Sequence, residues 1–378
     1  MNFSSEEISF LSGFLSSKVN GFEFDANKFN LQNAEKILET AEEQKIFPIY
    51  GNELLSIFEK NSNGFDKNYW LERLSKHEKR AFNLTIRLLK ILNFLKEEQI
   101  FGIPVKGPLL AEFLYNDISS RAFADLDIFI FQKDLYKAVK ILEKQGYKPE
   151  LDLDEKKTMI FSRHEYDFKL YDKSSHTIVE LHWELSGRYT KSPITLDNYF
   201  RTLCDFNILN KKVQKLSNET EFIYLCIHSG KHCYEKLEML YSIAVYFNKI
   251  KDSFDLIINM ADEMKCRKIV LFSVYLCIDF FNLKVDENVL NQIKAYKDFG
   301  KIKNQVANFI ENNANFSKTR FSNLHIKLQE NIYLKIILRL RLIFTPTCSE
   351  WAVVKLPAKL SFLYYFIRPF RLVFLFFK

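Results

Sequence analysis

No Cys-x-x-Cys pair occurs in this chain, although it carries six cysteines: Cys204, Cys226, Cys233, Cys266, Cys277 and Cys348. Their scatter argues against zinc ribbons and disulfide scaffolds. With no secretory leader ahead of them, reduced thiols in a cytoplasmic protein are expected. Fixed-period repeats and low-complexity tracts are also missing. Long unbroken apolar runs are absent too: Ile269–Phe281 is shorter than the ~20 residues a spanning helix needs, and Ser361–Lys378 is broken by Arg368, Pro369 and Arg371. No transmembrane segment is expected. What remains is a chain of 378 residues, 47% of them hydrophobic, enough for a real core in two or three structural units.

Acidic residues are scarce in one stretch. Residues 318–378 hold eleven Lys or Arg against two Glu, an excess of nine, so the formal charge of +7 belongs largely to the tail. After Thr345-Pro346 that tail mixes Trp351, Phe362, Tyr364, Tyr365 and Phe366 with lysines and arginines. Such a tail can bind an anionic membrane surface, nucleic acid or its own helical domain, and its aromatics exceed what solvation needs, which points to packing on its own helical domain with some membrane-surface contact ahead of nucleic acid.

The densest chemical signal is Asp125-Leu126-Asp127-Ile128-Phe129-Ile130. On a strand, two carboxylates two apart project from one face while Leu126, Ile128 and Ile130 point to the other. That geometry suits a divalent metal, and Phe129 and Phe131 on the aspartate face predict a strand covered on both sides, with the acids at the mouth of a cleft. Upstream, Phe101-Gly102-Ile103-Pro104-Val105 runs into Lys106-Gly107-Pro108, a turn that sets a cation and bare amides beside the aspartates. Downstream, Thr177–Glu184 largely alternates, so Glu180, His182 and Glu184 are expected on one face and a third carboxylate is available.

The run Lys106-Gly107, Leu114-Tyr115, Arg121, Asp125-Leu126-Asp127 and Glu180-Leu181-His182-Trp183 resembles the uncharacterised nucleotidyltransferase family of the DNA polymerase β-like superfamily. The resemblance continues through Ile227-His228-Ser229-Gly230-Lys231-His232 and into Phe344-Thr345-Pro346-Thr347, Leu356-Pro357 and Arg368-Pro369. It implies an α+β fold, a small mixed sheet flanked by helical regions. It also implies transfer of a nucleoside monophosphate from a nucleoside triphosphate (NTP) to an acceptor, with pyrophosphate release. The wider superfamily has Gly-Ser or Gly-Gly at the phosphate turn, whereas here Pro108 follows Gly107.

Two metals about 3.5–4 Å apart can activate the attacking oxygen and stabilise the leaving one, so such a transfer asks mainly for carboxylates. Asp125, Asp127 and Glu180 are the expected ligands and catalytic groups, with Mg²⁺ or Mn²⁺ as the ion and Glu180 also placed to take the acceptor proton. Lys106 and Gly107 are expected at the triphosphate. Arg121 is read either as a bidentate phosphate grip or as a partner of Asp125. His182, Glu184, His228 and His232 are candidates for the outer shell or the acceptor, with plain structural roles as the competing reading; His164 is equally open. His228 and His232 are spaced i, i+4 as zinc ligands can be, but no Glu follows the first as a zinc hydrolase requires.

The organisation expected is a helical region over 1–98, a nucleotidyltransferase core over 99–190, a second helical region over 191–344 and the basic aromatic tail over 345–378. Within it, 101–105 and 125–131 read as strands, 108–116 and 134–145 as helices with Gly146 as a stop, and His164–Leu170 with Thr177–Leu185 as an antiparallel pair joined through Asp172-Lys173-Ser174-Ser175. Asn61-Ser62-Asn63-Gly64 reads as a loop. From about Pro193 onward helices are expected to dominate again, including Glu219–Lys249 and Asp262–Phe281. The acceptor class stays open among small molecule, sugar, protein and RNA. A non-catalytic nucleotide- or partner-binding module and a nucleotidylating toxin are the alternative functions.

Overall fold

The structure, a computed structural model, describes residues 5–61, 65–172, 176–185, 202–312 and 324–376. Five short strands, β1 (Ile103–Val105), β2 (Asp125–Phe129), β3 (Lys148–Pro149), β4 (Asp167–Asp172) and β5 (Thr177–His182), form one sheet in the order β1-β2-β5-β4-β3. The central pair β2 and β5 runs parallel, and every other pairing is antiparallel. This is the small mixed sheet within an α+β fold that the resemblance implies. Residues 62–64 and 173–175, where two of the expected turns fall, lie outside the described residues.

Before the sheet come α1 (Glu6–Asn20), α2 (Ala34–Glu43), α3 (Phe47–Asn61) and the long α4 (Lys67–Glu97). Their ends carry sequence-encoded stops. Ser5 caps α1 by accepting from the Ile8 amide, Gly21 closes it at φ +70°, and Asp66 accepts from the Tyr69 amide to start α4. Between the strands lie α5 (Gly107–Tyr115), α6 (Leu135–Lys144) and α7 (Glu155–Phe161).

After the sheet helices dominate, as expected, and the sequence did not foresee one interruption: β6 (Cys204–Ile208) and β7 (Lys211–Lys215) form an antiparallel hairpin turned by Leu209 and Asn210, both at positive φ. The two-residue turn requires those left-handed conformations, and Leu at the first position hides it from sequence. The stretch Glu219–Lys249 is two helices, α8 (Asn218–Lys231) and α9 (Leu237–Ile250), broken where Cys233 and Tyr234 both take positive φ. Likewise α10 (Phe254–Glu263) and α11 (Arg267–Phe281) part at Lys265, φ +58°.

The chain continues with α12 (Glu287–Lys294), α13 (Phe299–Glu311), α14 (Ile332–Phe344), α15 (Cys348–Val353) and α16 (Tyr364–Phe376). N-terminal and C-terminal helices meet directly. Ser12 and Ser16 on α1 donate to the Phe280 and Phe281 carbonyls at 2.6 and 2.7 Å, and the Leu237 amide donates to Gln44 Oε1 at 2.9 Å. Gly230 permits close packing of α8: a Cβ there would sit 3.2 Å from the Tyr234 hydroxyl, itself 2.9 Å from Ser273 Oγ. Among the described residues no helix is long and apolar enough to cross a membrane.

Candidate active site

Parallel pairing of β2 with β5 places Asp127 opposite Glu180 and Phe129 opposite His182. Side chains alternate along each strand, so Asp125, Asp127 and Phe129 share a face with Glu180 and His182, while Leu126, Ile128, Val179 and Leu181 fill the core on the other. Asp127, Glu180 and His182 are all buried, and each offers a ligand atom within 4.8 Å of the others. His182 Nε2 lies 2.7 Å from Asp127 Oδ1 and 3.6 Å from Glu180 Oε2.

The turn after β1 brings in the cation. Lys106 sits at φ 53°, ψ −139°, and Gly107 at φ +43° starts α5, with Pro108 in its first turn. Two positive φ values in succession reverse the chain sharply. For a lysine that conformation costs of order 1–3 kcal/mol. The Lys106 ammonium ends up 2.9 Å from Asp127 Oδ2 and 3.3 Å from His228 Nδ1. Lys169 on β4 pairs with Glu180 in the same way.

A cavity of about 170 Å³ opens over this face. It is lined by Lys106, Lys169 and Lys231, by Asp125, Asp127 and Glu180, and by His182, His228 and His232, with Tyr166 and Tyr224 among its apolar walls. Cations and carboxylates balance three to three. Burial works against the Lys106 ammonium, yet the charge of Asp127 leaves its pKa raised. The Asp127 carboxylate is held below the usual range, burial opposing and Lys106 with His182 prevailing. Burial pushes His228 well below the ordinary histidine value and His232 down to about 3, each reinforced by nearby lysine charge. Both imidazoles are therefore neutral at pH 7, and His228 Nδ1 can accept from Lys106.

Lys231 stands apart from the other two lysines. Its ammonium lies 4.8 Å from the Tyr166 ring centroid, and among the described residues it makes no ion pair. Burial lowers its pKa, with Asp167 the leading opposing charge. Lys231 was not foreseen from sequence, although it falls between His228 and His232, and a lysine three positions after His228 on a helix shares its side. Lys169, Tyr166 and Tyr224 were also missed. Lys169 is visible only once β4 is registered against β5, which sets it opposite Glu180.

The other expected residues fall as follows. Asp125 lines the same cavity but stands outside the Asp127–Glu180–His182 cluster, half-buried at the start of β2. Arg121 pairs with Glu238 on α9 and not with Asp125, Nε to Oε1 at 2.6 Å and Nη2 to Oε2 at 3.4 Å; it is buried and is not among the residues lining the cavity, and Glu238 needs the counter-charge where it lies. Glu184 lies past the end of β5, exposed and away from the cavity lining, because the alternation stops at His182. His164 bonds Tyr365 in the tail at 2.8 Å.

Two carboxylates and an imidazole at this separation are a donor set that fits a divalent cation, and Asp125 lines the same cavity. A mixed sheet carrying acids on two parallel central strands, met by a Lys-Gly turn at a helix N-terminus, defines the class: a nucleotidyltransferase core. The comparison with protein families agrees. Residues 30–282 match the family described as uncharacterised nucleotidyltransferase, and the chain belongs to it. No curated protein and no solved structure matches the chain.

Proposed function

We propose that this protein transfers a nucleoside monophosphate from an NTP to an acceptor and releases pyrophosphate. The observation that carries this reading is the convergence of Asp127, Glu180 and His182 with three lysines in one cavity. A divalent cation held by Asp127, Glu180 and His182, with Asp125 beside them, would neutralise phosphate charge and polarise the reacting phosphorus. Everything else is work for the chain. Lys106 and Lys169 now neutralise the carboxylates, and an arriving triphosphate offers them better partners, so they can swing to phosphate oxygens and free the acids for the metal.

Lys231 supplies a cation with no carboxylate to leave, suited to the pyrophosphate end of the substrate. Gly107 starts α5 next to Lys106, and a Cβ there would meet, among the described residues, only the Phe123 ring, at 3.8 Å, so the turn leaves room for a phosphate oxygen held by Lys106. Glu180 would accept the acceptor proton, since Lys106 and His182 hold the Asp127 carboxylate below its usual range and so make it the weaker base. The cavity is smaller than the roughly 300 Å³ at which typical ligand pockets begin. It suits a phosphate chain, with sugar and base lying outward.

Pyrophosphate release from NTP with Mg²⁺ and cell extract, compared between wild type and Asp127→Asn, tests this. Release that Asp127→Asn leaves untouched would remove the site from the reaction. A second reading, a nucleotide-binding module without turnover, is favoured by the engagement of Asp127 and Glu180 by lysines. Calorimetry separates them: metal-independent NTP binding without pyrophosphate release supports the module, and Mg²⁺-dependent binding with release excludes it.

A further inference from the structure

We infer that the C-terminal helices form a docking face for an anionic lipid bilayer, lying in its surface without crossing it. This goes beyond nucleotidyl transfer and does not depend on it. On α14 the apolar residues Ile332, Ile336 and Leu340 recur every four positions and are all exposed, Ile332 by 67%. On α16 Phe366, Phe370 and Val373 form a second such row, with Phe370 exposed by 77% and Phe366 by 63%. The two helices pack against each other, and each leaves its apolar row exposed to solvent. Of the thirteen residues of α14, only Leu338 is buried.

The core is not what these rows serve, because the tail already has its own anchor. Trp351 on α15 packs on Phe161 and Tyr364, with ring centroids 5.6 and 4.4 Å away, and Arg368 pairs with Glu350 at 3.0 Å. That anchor holds the helices to the body with their apolar rows outward. A patch of this kind on a folded protein marks an interaction site.

Charge selects the occupant. Residues 332–374 contain seven Lys or Arg and one acid, Glu350, which is buried and taken up by Arg368 and Arg371. Arg339, Lys355 and Lys359 are exposed. A second copy would bring the same positive excess and be repelled, whereas an anionic headgroup layer satisfies both the cations and the apolar rows. Helices of thirteen residues are about 20 Å long, short of the ~30 Å hydrocarbon layer, so they suit the interface.

The test is co-sedimentation of the full chain with vesicles of pure phosphatidylcholine and with vesicles also containing phosphatidylglycerol, at low and high salt. Binding to the anionic vesicles only, weakened by salt, is expected. Phe366→Ser with Phe370→Ser, and separately Arg339→Glu with Lys355→Glu, should each lower partitioning by about ten-fold. Thermal midpoints should hold, since all four side chains are exposed. No binding to either vesicle overturns the inference. So does self-association in light scattering that Phe366→Ser with Phe370→Ser abolishes while vesicle binding is absent.

Discussion

Lys106 Nζ and Asp127 Oδ2 lie 2.9 Å apart in a buried pair, with His182 on the other carboxylate oxygen at 2.7 Å. Removing one partner leaves an uncompensated charge, which in buried pairs costs about 3–5 kcal/mol. Lys106→Met is therefore expected to lower the unfolding free energy by that order in urea titrations. Asp127→Asn should lose the rise in thermal midpoint that Mg²⁺ with NTP gives the wild type, because a ligand that binds only the folded state stabilises it in proportion to occupancy. An equal rise in both proteins would mean that Asp127 does not hold the ion.

Lys231 makes a separable prediction. Its lowered pKa means the ammonium discharges earlier than an ordinary lysine as pH rises, and triphosphate affinity should fall with it. Calorimetry on wild type and Lys231→Arg from pH 7 to 9.5 reads this directly. The arginine variant should keep its affinity across the range, and Lys231→Met should bind NTP about ten-fold more weakly at pH 7, roughly 1.4 kcal/mol. Parallel pH profiles for lysine and arginine would count against a phosphate role.

Arg121 and Glu238 should behave as architecture. Either single change, Arg121→Met or Glu238→Leu, is expected to cost about 3–5 kcal/mol, and the double variant to recover most of it. Urea denaturation of the three proteins gives the coupling. If Arg121→Met instead folds normally and loses NTP binding, the sequence expectation of a phosphate grip returns.

Acid should unfold this protein early. Burial holds His325 and His232 at about 3 and His228 well below its ordinary value, while in the unfolded chain each titrates near about 6.5. The unfolded state binds more protons between those values, so their full contribution is present above about pH 6.5 and declines as pH falls toward the folded pKa. For the fully buried His325 the slope approaches about 1.4 kcal/mol per pH unit. Asp127, with its folded pKa depressed, adds a further loss below about pH 4. Urea midpoints at pH 7, 6 and 5 should drop steadily, and less so in His325→Leu. A flat profile would contradict the burial of these imidazoles.

Where local pattern encodes structure, the sequence was readable. Alternation around Asp125–Phe129 and Thr177–His182 located the two strands and the face they share, and Lys106-Gly107 located the turn. The remainder depended on what lies far away or on unusual backbone. Glu238 is 117 residues from Arg121, so no spacing rule could pair them. The breaks in the later helices fall on Cys233, Tyr234 and Lys265, residue types that rarely take positive φ, so sequence carried no stop signal. His182 looked like an outer group because metal patterns emphasise carboxylates. The pairing of Phe129 with His182 across β2 and β5 turns it inward beside Asp127.

The tail is fastened within two residues of the cavity wall: Tyr365 holds His164 at 2.8 Å and the Cys348 amide donates to Glu165 at 3.0 Å, immediately before Tyr166. A bilayer docked on the tail and a triphosphate in the cavity would therefore act on neighbouring parts of one attachment. Thermodynamic reciprocity makes that tether work in both directions: whatever lipid does to nucleotide affinity, nucleotide does to lipid affinity by the same factor.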